Sequence, residues 1–209
     1  MDEKGNPWRS IPLDVYEGHM QLENVAQLGA LNEIMKSQMQ YCRCASLMIL
    51  GVAGGNGLEH AERGGYDKIY GVDINEAYLQ ESKRRHGDMD GRLEYICADL
   101  TDKNVKLPQA EAVIANLFIE YTGYDNFMSA LGKICPQYVT CVIQINTDAT
   151  FVSDSPYMEQ LQSLQSVHRQ MDDKQLIALM TSNGYRHEGS TDKHMSNGKI
   201  LRRLDFRRA

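Results

Sequence analysis

Apolar side chains recur along this chain in two rhythms. Between residues 21 and 42 they fall at Leu22, Val25, Leu28, Leu31, Ile34, Met35 and Met39. Gaps of three and four place them on one stripe of a helix. Five short apolar runs follow: SLMILGV, KIYGVD, LEYICAD, EAVIANLF and YVTCVIQI. Most are nearly continuously apolar, the pattern of strands covered on both faces. Segments able to form helices separate most of them, from Leu58 to Arg63, Glu76 to Arg85 and Asn126 to Ile134. Strand and helix in alternation predict a parallel sheet wound on both sides. The end breaks the rhythm. A helix fits Asp172 to Ser182, with Asp172 as its cap and Asn183-Gly184 as its stop. The runs YRHEGST and GKILRRLDF then flank Ser196-Asn197-Gly198, a hairpin signal. The expected fold class is therefore α/β: a doubly wound, mostly parallel, seven-stranded sheet that closes in a C-terminal antiparallel hairpin. Residues 1–45 are expected to form an N-terminal helical cap on a core of residues 46–209, the whole being a single domain.

Composition narrows the partners. Of 209 residues, 42% are hydrophobic and 24% charged, which suits a soluble domain with a real core. The net charge of −6 argues against a nucleic-acid surface, which carries a basic patch. LRRLDFRR near the C-terminus is basic, but its alternation with Leu201, Leu204 and Phe206 reads as a strand with a solvated face. No apolar stretch approaches the ~20 residues of a membrane span. MDEKGNPWRS opens acidic and polar, without the apolar centre of a signal peptide. Five scattered cysteines, an odd number, predict free thiols in a reducing cytoplasm. Cys42-x-Cys44 has no second pair to complete a metal site, so no metal is expected.

The stretch ILGVAGGNGLEH holds four glycines between the first strand and the first helix. In an open parallel sheet, ligands bind beyond the carboxyl ends of the strands, where strand order reverses. Ala53, Gly54, Gly55 and Gly57 are therefore expected to let backbone N–H groups approach a ligand with no side chain between, and Gly51 and Val52 are candidate cofactor contacts in the same loop. Asp73 ends the second run, in YGVDIN, where a carboxylate can accept from both hydroxyls of a ribose. Its segment also suits a helix cap near Asn75. Asp99, in ICADLTD, follows the third strand and can accept from an exocyclic adenine amine.

Together ILGVAGGNG, YGVDIN, ICADLTD, AVIANLFIEY and the final hairpin resemble the class I S-adenosylmethionine-dependent methyltransferases, whose fold is Rossmann-like. The resemblance covers residues 46 to 206. It implies that the first loop cradles the methionine part of S-adenosyl-L-methionine and that Asp73 holds the ribose. It implies further that Asp99 meets the adenine amine, the Leu100 amide a ring nitrogen, and Ile74 the adenine face. The segment from Asn116 would line the reaction centre. Two positions depart from the family loop: Gly51 stands where an acid is usual, and Ala53 where the first glycine is usual. The contact to the methionine ammonium then falls to the N-terminal segment or to backbone carbonyls. NLFI shares only its asparagine with the signature of DNA amino-group methylases, so base methylation is not implied.

Methyl transfer from a sulfonium is an in-line displacement that depends mostly on positioning. It requires a general base only for a protonated acceptor, so no compact catalytic signature is expected. Glu120 and Tyr121 in IEYTGYDNF, with His19 in LDVYEGHMQLENV, are the catalytic candidates. Tyr16 and Met20 of the same N-terminal helix are candidate cofactor contacts, and Tyr124 and Tyr157 candidate acceptor contacts. The acceptor is expected to be a small molecule; a homodimer is left open. Two alternatives stand beside this reading: a methyltransferase-like protein that binds the cofactor or a nucleoside without turnover, and a nicotinamide-dependent oxidoreductase. GVAGGNG fits the dinucleotide Gly-x-Gly-x-x-Gly in no register, which disfavours the second.

Overall fold

The computed structural model describes residues 5–146 and 155–209. After a short 3-10 turn at Pro7–Arg9 come α1 (Leu13–Gln21) and α2 (Gln27–Tyr41). The core then runs β1 (Ser46–Leu50), α3 (Leu58–Glu62), β2 (Lys68–Asp73), α4 (Glu76–His86) and β3 (Leu93–Cys97). It continues through β4 (Ala112–Asn116), α5 (Ile119–Thr122), α6 (Tyr124–Ile134) and β5 (Tyr138–Ile145). A short α7 (Met158–Leu161) leads into a 3-10 turn at Gln162–Ser166, followed by α8 (Asp173–Ser182), β6 (Tyr185–His194) and β7 (Ile200–Arg208).

The seven strands form one sheet in the order β3-β2-β1-β4-β5-β7-β6. The first five are parallel, and β7 runs antiparallel between β5 and β6. The α/β reading, with its terminal hairpin, holds. Alternation along the central strands explains the double winding, since successive side chains point to opposite faces. Met48 and Leu50 of β1, with Val113 and Ala115 of β4, pack with Phe127 and Leu131 of α6 and Leu176 of α8. Leu47, Ile49 and Ile114 face the other way, onto Met35 of α2, Leu58 of α3 and Leu79 of α4.

Two local readings need correction. The helix expected over residues 21 to 42 is shortened to α2, with α1 already ended at Gln21. The chain turns at residues 22–26, where Ala26 takes φ +49°, and α2 starts only at Gln27. Helical spacing survives such a break because Val25 is buried within the turn and Leu31 within α2. The basic C-terminal strand is also less solvated than its charge suggested. Arg202 holds Asp192 on β6 through two hydrogen bonds of 2.7 and 2.6 Å and Asp173 at the start of α8 at 2.6 Å, which fastens the hairpin to a helix.

The cap of α8 is as expected: the Asp172 side chain accepts from the Gln175 amide. Tyr66 fastens α2 to the sheet. Its buried hydroxyl lies 3.1 Å from the carbonyl oxygens of both Met39 and Cys42. Tyr66→Phe removes that donor and no apolar contact. It should therefore lower stability by about 1 kcal/mol, read as a lower denaturant midpoint at unchanged slope.

Candidate functional site

The strand order reverses between β1 and β4, and three adjoining cavities open beyond their carboxyl ends. A strand-end cavity of about 80 Å³ lies among Asp73, Ile74, Asp99, Leu100 and Phe118. A loop cavity of about 50 Å³ is lined by Gly51, Val52, Ala53, Gly54 and Asn56. An inner cavity of about 60 Å³ holds His19, Met20, Glu120, His168 and Lys199. Tyr16 borders all three, Asn116 the first two, and Trp8, Leu117 and Tyr121 stand between the strand-end and inner cavities.

The glycine loop differs from its expected role in one respect. The directions its missing side chains would take are filled by protein. A Cβ on Gly51 would come 2.8 Å from Cδ2 of Phe118; one on Gly55, at φ +88°, would come 2.6 Å from His86 and Ser82. Gly54 is covered by Glu17, Arg85 and Leu13, and Gly57 by Met35. Gly55 and Gly57 line none of the three cavities. Several loop amides are also committed. Those of Gly51 and Val52 donate to the Val72 carbonyl, Gly55 donates to Val52, and Ala53 donates to Asp73 at 2.9 Å. The amides of Gly54 and Asn56 have no acceptor among the described residues.

Asp73 is 8% exposed at the end of β2. One carboxylate oxygen accepts from Ala53 and the other from the Asn75 amide, each at 2.9 Å. Burial raises its carboxyl above the usual range, and the amides of Asn75, Ala53 and Ile74 oppose that rise. A carboxylate has about four acceptor positions, so both oxygens retain capacity for a ligand's hydroxyls. Asn75 caps α4, as the sequence allowed, and its side-chain amide donates to the carbonyls of Trp8 (2.9 Å) and Ile11 (3.2 Å). Asp99 is met by Arg9 at 3.2 Å and by the Thr101 amide at 2.9 Å. Glu17 binds Arg85 in two hydrogen bonds of 2.6 and 2.8 Å. The N-terminal segment is thereby tied down over the strand ends at three points.

Asn116 forms a reciprocal amide pair with Gln38 of α2, both hydrogen bonds being 2.8 Å. Two non-glycine residues take positive φ at the cavity walls, Ala53 (+46°) and Leu117 (+50°). Such strain persists where surrounding structure over-determines it, and it clusters at functional sites.

In the inner cavity, Glu120 is 2% exposed. Its Oε1 accepts from the Gln144 amide at 2.8 Å, while Oε2 is buried with no hydrogen-bond partner among the described residues. Burial pushes its carboxyl up to about 7. Burial, and then the charge of Lys199, push the imidazoles of His19 and His168 down, His168 to about 4. The His19 Nδ1 lies 2.8 Å from the Ser155 hydroxyl. Burial raises the phenols of Tyr16 and Tyr121, so both stay protonated. Trp8 packs edge-on against Tyr121, ring centres 4.9 Å apart, and against Tyr16 at 5.5 Å.

Among the candidates, Met20 lines the inner cavity rather than those beside Asp73. Tyr124 and Tyr157 line none of the three. The Tyr124 hydroxyl is bonded to the backbone of Asp172, and the Tyr157 ring packs over Gly18. Of the segment FVSDSPYMEQL, residues 151–154 lie outside those described. Sequence reasoning missed Trp8, Leu117, His168 and Lys199. Trp8 is the one tryptophan, placed in a polar stretch, and that isolation was its only signal.

Residues 49–135 match the model of a protein family described as a methyltransferase domain. The chain has the Rossmann-like methyltransferase fold. None of the curated proteins matches its sequence. Solved structures share its fold at low identity. Magnesium protoporphyrin IX methyltransferase from Synechocystis PCC 6803, solved with S-adenosylhomocysteine, is 12% identical over 97% of this chain and 96% of its own, with a TM-score of 0.70. Geranyl diphosphate C-methyltransferase from Streptomyces coelicolor A3(2) is 11% identical over 88% and 83%, with a TM-score of 0.66. The cyclase SpnF is 11% identical over 86% and 80%, with a TM-score of 0.64.

The matched segment contains the glycine loop, Asp73, Asp99, Asn116 and Glu120. The other inner-cavity residues of note, His19, His168 and Lys199, lie outside it, as do Trp8 and Tyr16. No helix among the described residues is long and apolar enough to cross a membrane, and none of their His, Cys, Asp and Glu side chains cluster to hold a metal.

The position of Glu120 sets a pH dependence of stability. Its folded carboxyl titrates above its unfolded one, so between the two the folded chain keeps a proton that the unfolded chain has lost. Stability from this group is full at acid pH and falls as pH rises through about 7. Glu120→Gln carries no such charge. Thermal unfolding should show its stability relative to wild type improving by about 3 kcal/mol between acid and mildly alkaline pH.

Proposed function

We propose that this protein transfers a methyl group from S-adenosylmethionine to a small molecule in the inner cavity, the N-terminal cap and the core acting as one domain. The observation that carries this reading is the adjacency of the cavities: Tyr16, Trp8, Leu117 and Tyr121 are shared between the space beside Asp73 and the space beside Glu120. A cofactor laid in the first would reach the second across one layer of side chains.

The residues suit that cofactor. Asp73 has acceptor capacity for ribose hydroxyls. Ile74, Leu100 and Phe118 supply apolar surface for a planar base, with Asp99 and the Leu100 amide at its edge. The loop cavity, with the Gly54 and Asn56 amides and with Asn116, suits the methionine portion. Gly51 brings no acid there, but Glu17 of α1 borders the same cavity and supplies a carboxylate from the N-terminal segment. When bound, S-adenosylmethionine provides a methyl group on a positively charged sulfur. The chain's part is to hold it, to align an acceptor and to exclude water beneath Trp8 and Tyr16. An acidic chain without nucleic-acid motifs supports a small-molecule acceptor.

Two measurements test this. Incubation with S-adenosylmethionine and pooled metabolites should yield S-adenosylhomocysteine and methylated product; binding without product would favour a non-catalytic binder, and affinity for a nicotinamide dinucleotide instead would overturn the reading. In calorimetry, Asp73→Asn should bind S-adenosylhomocysteine about 1–3 kcal/mol more weakly than wild type. Equal affinity in a folded variant would remove the ribose role from Asp73.

A further inference from the structure

We propose that Glu120 is the base for a neutral hydroxyl acceptor, an alcohol or phenol whose O–H donates to its unpartnered Oε2. This rests on the methyltransferase reading above and names the class of substrate it would take. A carboxylate on α5, just past the carboxyl end of β4, is 2% exposed and borders a cavity; one oxygen is satisfied by the Gln144 amide and the other is buried and unpartnered among the described residues. Buried polar atoms without partners are uncommon and costly, so a ligand donor at Oε2 would relieve a deficit that the protein itself leaves open.

The neighbours select the donor. From α1 come Tyr16 and His19; beside Glu120 stands Tyr121; across the cavity are His168 and Lys199. Cys141 of β5, Tyr124 and Arg169 complete the titratable surroundings. Burial, and to a lesser degree the Glu120 charge, raise the Cys141 and Tyr124 groups, while the Arg169 amide donates to the Glu120 carbonyl. The phenols stay protonated near neutrality and cannot take a proton. The His19 Nδ1 is already engaged by Ser155. Glu120 is the group whose carboxyl changes charge near pH 7. An ammonium acceptor would face the cation of Lys199 and the positive sulfur of the cofactor, and it has no lone pair to methylate. A carboxylate acceptor would meet the charge of Glu120. A neutral O–H offers the donor that Oε2 lacks and needs a base as its oxygen becomes cationic. Leu161, Leu164 and Trp8 add apolar walls for its carbon frame.

The step balances. A lone pair of the acceptor oxygen forms the new bond to the methyl carbon. The carbon–sulfur pair stays on sulfur, which becomes neutral. The acceptor O–H bond breaks, its pair stays on oxygen, and the proton passes to Oε2. One buried anion and one buried cation disappear together, which a low-dielectric cavity favours.

The test uses the full chain with carbon-13 in its glutamate side chains. The Glu120 signal is identified by its loss in Glu120→Gln and followed by NMR across pH, with S-adenosylhomocysteine bound. The expected midpoint is about 7. Phenol or benzyl alcohol should shift the signal, while benzoate and benzylammonium should not. With S-adenosylmethionine, wild type should form methyl ethers from a panel of phenols and alcohols, at a rate rising through the Glu120 midpoint. Glu120→Gln should keep its affinity for S-adenosylhomocysteine within about twofold, lose at least ~100-fold in rate, and lose that rise. The proposal is overturned by a Glu120 that is fully ionised at mildly acid pH, by a signal that no hydroxyl probe shifts, by an unchanged rate profile in the variant, or by methyl transfer to amines or carboxylates instead. Failure of wild type to bind S-adenosylhomocysteine would overturn the cofactor reading and this step with it; binding intact with Glu120 silent would overturn this step alone.

Discussion

Four hydrogen bonds around Asp73 and Asn75 hold the working end of this molecule together. The Asp73 carboxylate accepts from Ala53 in the glycine loop and from the amide that opens α4. The Asn75 side-chain amide then reaches the carbonyls of Trp8 and Ile11. Loop, strand end, helix start and N-terminal segment are thus joined through two neighbouring residues. Neither is exposed by more than 8%, so each bond is shielded from competition by water. The shape of the strand-end cavity and the placing of Trp8 above it both follow from this junction.

A division of material runs across the site. The family-matched segment, residues 49–135, builds the floor: the loop, the two aspartates, Asn116 and Glu120. The roof and the far wall come from elsewhere. Trp8, Tyr16 and His19 arrive with the N-terminal segment, Gln144 with β5, His168 after the second 3-10 turn, and Lys199 in the hairpin turn. A common floor beneath walls drawn from separate parts of the chain is how one scaffold serves different reactions, and the shared fold with a cyclase accords with that.

Much of this was legible in the sequence. The five apolar runs, the Asp172 cap and the Asn197-Gly198 turn each carry a local signal, and each element formed where that signal placed it. Asp73, Ile74, Asp99 and Leu100 reach one cavity because strand ends and short loops leave them little choice. What could not be read depends on contacts between distant segments. No periodicity shows that Arg9 will meet Asp99, that Gln38 will pair with Asn116, or that Lys199 will border the cavity of Glu120. Tyr121, Tyr124 and Tyr157 are all candidates for the site in sequence. The rings of Tyr124 and Tyr157 found Asp172 and Gly18 instead, which only packing decides.

The filled space above the glycines has an evolutionary corollary. Phe118, Met35, His86 and the Glu17–Arg85 pair occupy the positions where larger residues would place their first carbon. The loop would exclude side chains even if nothing ever bound beside it. Retention of these glycines in descendants of this chain would therefore report the fitting of one helix against another, and a lineage that had lost its ligand would keep them all the same.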